Sequence, residues 1–214
     1  MSAAAARRRR IALKAVIWTL CLSPAAWLGF SALTDGLGAN PIETITHRTG
    51  WWALFLLTGT LAITPVRRLT GRLNFVRYRR LLGLFAFFYA TLHFLTYLVL
   101  DQFFGWTYIL GDITERPFIT VGFAAWLMLL ALAATSTRAS IRRLKRNWQR
   151  LHRLVYVAAL AAGVHFLWKV KADAREPLVF LSVILALLLI RVWGSWTRGR
   201  RAGPGGRATA RPAD

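Results

Sequence analysis

Cysteine and acid are both scarce in this 214-residue sequence: one Cys, at position 21, and 8 Asp and Glu against 29 Lys and Arg. A lone thiol excludes both a disulfide scaffold and a thiolate metal cluster. The shortage of acid leaves a formal charge of +21, and no Asp or Glu falls inside any long apolar run. Paired-carboxylate chemistry and an acid-based proton relay are therefore missing from the apolar part of the chain. Alternating apolar and polar positions are missing as well, so no strand is expected. With 56% hydrophobic residues and a mean hydropathy of +0.44, general disorder is excluded too.

What is present is grease and positive charge together. A nucleic-acid binder of this charge has no use for 10 Trp and 13 Phe, whereas a membrane protein with its basic residues sorted to one side has a use for both. A spanning helix needs about 20 apolar residues. Six stretches qualify: Ile11 to Leu33, Gly50 to Pro65, Leu81 to Leu100, Phe118 to Thr135, Leu151 to Val170 and Pro177 to Trp193. The expected fold class is all-α, with six transmembrane helices. Residues 1–10 form a basic N-terminus, 11–193 the membrane domain and 194–214 a disordered basic tail.

Charge orients these spans. Arg7 to Arg10, the loop from Arg67 to Arg80, the loop from Arg138 to Arg150 and the tail from Arg198 onward all fall on one side if six spans alternate. The three opposite loops hold seven of the eight acids: Asp35, Glu43, Asp101, Asp112, Glu115, Asp173 and Glu176. The positive-inside rule places both termini of this multi-pass chain in the cytoplasm. The Arg-rich start followed by an apolar run resembles a signal peptide, but span one is longer than a signal core, so a retained anchor is expected. Basic residues spread over four membrane-adjacent segments fit anionic lipid better than nucleic acid.

With acids absent, histidines are the chief ionisable groups at membrane depth. His93 lies in span three, and His152 and His165 in span five. Spans three and five run the same way, and His93 and His165 lie about 18 and 21 Å above their starts, at similar heights in the outer half. Two neutral imidazoles facing each other suit a haem iron that takes one axial ligand on each side. Zinc would want a third or fourth ligand, which is lacking at that depth. His152 lies about 20 Å below His165, a spacing suited to a second, inner haem. On a straight helix, however, the two side chains point some 140° apart. The matching inner position of span three holds Arg79 or Arg80, which are poor iron ligands but good propionate or phosphate partners. Gly163 is a candidate irregularity that would relax the angle. An inner haem on His152, a flavin or quinone site among Arg77, Arg79, Arg80 and Arg153, and an interfacial His152 without a role all stay open. His47, just before span two, reads either as a solvated helix-start residue or as a neighbour of the outer haem edge or a quinone pocket. Cys21 is a packing residue.

Six stretches carry a family likeness: THRTGWWAL, LAITPVRRLTG, RYRRLLGLFAFFYATLHFLTYLVLD, DITERPFITVGF, NWQRLHRLVYVAALAAGVHFLWKVK and EPLVF. In order and from about Asn40 to Arg191, they resemble the MsrQ family (formerly YedZ). These are haem-binding membrane subunits of bacterial methionine-sulfoxide reductase systems, within the ferric-reductase-like transmembrane superfamily. The resemblance implies a cytochrome b that takes electrons from the quinone pool and passes them outward to a periplasmic molybdenum-cofactor reductase of the MsrP type, for repair of oxidised proteins. It implies haem b on His93, His165 and His152, associated FMN, and a quinol or a cytoplasmic flavin reductase as donor. The sulfoxide-reducing site is expected on the partner. NADPH oxidases and ferric reductases of the superfamily carry two histidines on each of two helices; here the inner one on span three is absent. The tail after Trp193 is expected to hold no nucleotide-flavin domain, so the electron source is another molecule. Asp101, Asp112, Glu115 and Arg116 are the polar groups available for docking an acceptor. Alternative readings are a cytochrome b serving another periplasmic acceptor or ferric iron, and a cofactor-free transporter or assembly factor.

Overall fold

The structure is a computed structural model that describes residues 2–71, 74–170 and 172–201. Eight α-helices follow one another: α1 (Ala3–Leu33), α2 (Pro41–Thr70), α3 (Arg79–Leu95), α4 (Trp106–Glu115), α5 (Pro117–Ala134), α6 (Arg138–Leu151), α7 (Leu154–Lys169) and α8 (Arg175–Arg201). No strand occurs among the described residues. Five segments are long and apolar enough to cross a membrane: α1, α2, Val76–Asp101 (built around α3), α5 and α8; the bent pair α6–α7 makes a sixth when taken as one span.

Local chemistry explains where the helices begin and end. Asn40 caps α2, its side-chain oxygen accepting from the Glu43 N–H, and Pro41 occupies the first turn, where no N–H is needed. Gly71 closes α2 with φ of 67°, a left-handed conformation that favours glycine, and its N–H returns to the Arg67 carbonyl. The hydroxyls of Thr46, Thr49 and Thr60 bond back to carbonyls one turn earlier, so none is left bare in an apolar setting. Pro24 interrupts α1, and the Tyr89 hydroxyl of α3 repairs the gap: it donates to the Cys21 carbonyl at 2.6 Å and accepts from the Ala25 N–H at 3.1 Å.

Packing builds two antiparallel pairs, α2 with α3 and α5 with α7, joined where α3 meets α5; α8 closes against α7 and α2, and α1 lies outside. Small residues sit where helices come closest. Ala86, Ala158 and Ala159 are wholly buried, together with Leu61, Tyr89 and Ile184. Large side chains such as Leu20, Phe30, Leu185 and Leu189 stand exposed around α1 and α8, as expected for a surface facing lipid. One end of the bundle carries Glu43, Asp112 and Glu176 and the other Arg68, Arg79 and Arg150, here called the acidic and basic ends.

Several expectations need correction. The loop after span three contains a helix, α4, tied down by Asp112, whose carboxylate accepts from Tyr97 and Gln102 and pairs with Arg116. The basic loop after span four is also helical: α6 buries no side chain, as suits a basic helix at a charged surface. Span five is not straight, because α6 and α7 meet at a 50° bend with His152 and Arg153 at the break. Gly163 is not the irregularity. It lies inside α7, where a Cβ would stand 3.0 Å from Leu181 of α8, so it serves a close helix approach. Helix α8 continues to Arg201, so residues 194–201 are helical rather than part of a tail; 202–214 lie outside the described residues.

Candidate functional site

Towards the acidic end, α3 and α7 present His93 and His165 to each other. Their ring centroids are 6.0 Å apart and the ring planes are inclined at 78°. Each ring uses Nδ1 on a neighbouring backbone: His93 Nδ1 lies 2.9 Å from the Thr46 carbonyl of α2, and His165 Nδ1 lies 2.7 Å from the Phe118 carbonyl of α5. A carbonyl only accepts, so Nδ1 carries the proton in both rings and Nε2 keeps its lone pair. Such a second hydrogen bond is what orients a metal-ligating imidazole.

The two halves of the site are built alike. Each histidine lies 47 residues beyond the carbonyl that holds it. Each also packs on a glycine one turn after that carbonyl: a Cβ on Gly50 would be 3.0 Å from His93 Nδ1, and one on Gly122 would be 2.6 Å from His165 Nδ1. Without a side chain at these positions, the imidazole can approach the helix closely enough to share its carbonyl. The correspondence extends along both helices. His-Phe-Leu occurs at 93–95 and again at 165–167, and the buried Ala86 and Ala158 each lie two turns before their histidine. Just beyond His93 the chain widens into a π-helical turn, Thr96–Asp101, a form that often marks functional sites.

Aromatic rings flank the pair. Phe94 stacks on Trp126 at 4.5 Å and contacts Phe123, next to Gly122, and Trp126 Nε1 donates to Thr91. Towards the acidic end, Lys169 Nζ lies 2.5 Å from His47 Nε2. His47 is also 3.9 Å from Glu43 and adjoins Thr46, so it stands at the rim of the site and not between the two facing histidines.

Towards the basic end, His152 stands at the α6–α7 break, so the straight-helix angle between it and His165 does not apply. Its Nε2 is 3.3 Å from Thr135 Oγ1, and the Trp148 ring stacks on it at 4.0 Å. Arg79 is close enough to act on it electrostatically, while Arg77, Arg80 and Arg153 are exposed.

These residues fit a haem. Two metal–nitrogen bonds of about 2 Å, plus the ring radii, give centroids about 6 Å apart, which is the observed spacing. The donors are neutral and oriented, and among the described residues no group of three or more His, Cys, Asp or Glu gathers to form a metal cage. The sequence pointed to His93, His165 and His152. It did not point to Gly50, Gly122 or the two accepting carbonyls, although the repeated His-Phe-Leu, each copy preceded by a glycine at the same distance, was a signal that could have found them.

The chain is similar to known proteins along most of its length. Residues 49–163 match the family described as the ferric reductase like transmembrane component, a span that includes Gly50, His93, Gly122 and His152 and stops two residues short of His165. Curated relatives along most of the chain bear the name protein-methionine-sulfoxide reductase haem-binding subunit MsrQ. That of Xanthomonas axonopodis pv. citri (strain 306) is 50% identical over 204 residues, 91% of this chain and 94% of the relative. That of Xanthomonas euvesicatoria pv. vesicatoria (strain 85-10) is 51% identical over 189 residues, covering 86% and 87%. That of Herminiimonas arsenicoxydans is 48% identical over 189 residues, covering 87% of each. No solved structure matches the chain.

Proposed function

Because the chain belongs to the MsrQ haem-binding subunits of the ferric-reductase-like transmembrane proteins, we propose that it is the membrane cytochrome b of a protein-methionine-sulfoxide reductase system, carrying electrons from the quinone pool to a periplasmic, MsrP-like molybdenum-cofactor reductase. It is a multi-pass protein of the bacterial inner membrane. The acidic end then faces the periplasm and the basic end the cytoplasm. Sulfoxide reduction takes place on the partner, and this chain transfers electrons.

The observation that carries the reading is the His93–His165 pair. These two residues would hold haem b, which when bound supplies one-electron redox chemistry at a potential set by axial ligands and burial. The protein's own part is positioning. The Thr46 and Phe118 carbonyls fix the tautomer and azimuth of each ring, Gly50 and Gly122 let the rings lie against the helices, and Phe94, Phe123 and Trp126 keep water from the flank. His47 and Lys169 form the periplasmic rim. Asp101, Glu115 and Arg116 are exposed there for a partner to meet, whereas the Asp112 carboxylate is committed to α4.

At the cytoplasmic end, His152 and Arg79, with the exposed Arg77, Arg80 and Arg153, form the side that meets the donor, a quinol head group or the flavin of a cytoplasmic reductase. FMN, where it associates with this family, belongs at that cationic end.

The test is reconstitution in liposomes with a quinol inside the membrane and the periplasmic reductase outside. Methionine sulfoxide added with the reductase should reoxidise the quinol-reduced cytochrome, and His93→Ala and His165→Ala should each lose that signal together with haem. Full wild-type haem spectra in both variants would remove the ligand assignment. Reoxidation by ferric iron but not by the reductase would leave a cytochrome b with a different acceptor.

A further inference from the structure

Arg191 is a guanidinium taken into the apolar layer with no acid to meet it among the described residues. It lies on α8 between Ile190 and Val192, 16 residues after Arg175 and so about 24 Å along the helix, towards the basic end. One terminal nitrogen donates to the Tyr156 hydroxyl at 3.0 Å, the other to the Leu61 carbonyl at 2.6 Å, and the group sits over the Tyr156 ring at 5.2 Å. The Leu61 carbonyl is free to accept because residue 65, one turn on, is a proline with no N–H. The remaining nitrogen, Nε, is buried and has no protein partner among the described residues.

The surroundings add positive charge and no negative charge. Arg79 of α3 and Arg68 of α2 are both close enough to repel Arg191, and an Arg68 nitrogen lies 3.0 Å from where a Cβ on Gly194 would stand. His152, one turn before Tyr156, also feels Arg79. Seven of the eight acids belong to segments at the opposite end, and the eighth, Asp214, lies outside the described residues. A half-buried guanidinium with no counter-ion among the described residues is unfavourable in an apolar layer, and two neighbouring cations make it more so. The fold nonetheless spends a proline-freed carbonyl and a tyrosine on holding Arg191 there.

We propose that Arg191, with Arg79, Arg68 and Tyr156, binds an anionic ligand at the basic end of the bundle, a carboxylate or phosphate group carried by a membrane-embedded or membrane-surface molecule. A planar guanidinium with an unpartnered Nε–H suits either oxyanion, and its neighbours supply the second and third positive charges. This site lies on different residues from the His93–His165 pair and does not rest on that pair holding haem.

Native mass spectrometry of the detergent-purified full chain, with haem and FMN quantified on the same sample, tests it. The wild type should carry a stoichiometric anionic adduct beyond any haem held by the histidine pair. Arg191→Gln and Arg79→Gln should each lower its retention about tenfold, as expected for the loss of a charge-assisted hydrogen bond or an adjacent cation, while Arg191→Lys keeps part of it. Loss of a second haem with phosphorus unchanged identifies a propionate; loss of FMN or a phospholipid with haem unchanged identifies a phosphate. A wild type with no such adduct overturns the proposal even if Arg191→Gln fails to fold. So do well-folded Arg191→Gln and Arg79→Gln proteins that both retain the adduct at the wild-type level.

Discussion

His165 lies so close to Gly122 that a Cβ there would stand 2.6 Å from its Nδ1, the atom that donates to the Phe118 carbonyl one turn back on the same helix. His93 and Gly50 repeat the arrangement, with a Cβ there standing 3.0 Å from Nδ1. Each histidine is thus held by a helix whose surface has been pared down to backbone at the point of contact.

Alanine at these glycines should therefore cost haem before it costs the fold. For Gly122→Ala the ring must move, because a Cβ 2.6 Å from Nδ1 is closer than real contacts allow; overpacking of this kind costs about 1–3 kcal/mol. Gly50→Ala asks for a shift of only a few tenths of an ångström. The haem-to-protein ratio should fall in the order wild type, Gly50→Ala, Gly122→Ala, with helix content by circular dichroism unchanged. Equal haem in all three would show that the close contacts do not govern ligation.

The inclination of 78° between the two imidazole planes has a spectroscopic consequence. Axial ligands at nearly right angles leave the two iron orbitals that they engage close in energy, which gives a strongly anisotropic low-spin ferric signal. Low-temperature paramagnetic resonance of the oxidised protein should show a single large low-field feature. A well-resolved rhombic spectrum would mean that the rings lie near parallel.

Tyr89→Phe should destabilise the protein without touching haem. The hydroxyl bridges the Cys21 carbonyl and the Ala25 N–H at the Pro24 interruption, and its loss leaves both groups unpaired in an apolar setting, at about 1–3 kcal/mol. Thermal unfolding in detergent should shift down with the visible spectrum intact. The same substitution made in a Pro24→Ala background should cost less, because α1 can then close its own hydrogen bond.

Exposed and committed acids at the acidic end should separate by experiment. Asp101→Asn and Glu115→Gln remove exposed charges and should slow the encounter with the periplasmic reductase severalfold at low salt, an effect that fades as salt rises. Asp112→Asn instead loosens the contacts to Tyr97, Gln102 and Arg116, so it should lower thermal stability at every salt concentration. Stopped-flow mixing and thermal melts distinguish the two patterns.

Hydropathy and charge are sums along the chain, and what depends on such sums was legible from residue types alone: the all-helical membrane class, six apolar runs, the sorting of acids from bases, and His93 and His165 at matching depth through a constant rise per residue. What depends on rotation about a helix axis was not legible, because turning a helix changes neither its hydropathy nor its length. That is why Gly50 and Gly122 read as ordinary glycines until the neighbouring helix brought an imidazole against each. It is also why His152 was judged on a straight helix that in fact breaks at that residue. Arg191 closed an apolar run in the sequence. Only the packing of α8 against α2 and α7 set it on a carbonyl freed by Pro65 and beside Tyr156, since burial and hydrogen-bond partners are properties of neighbours in space.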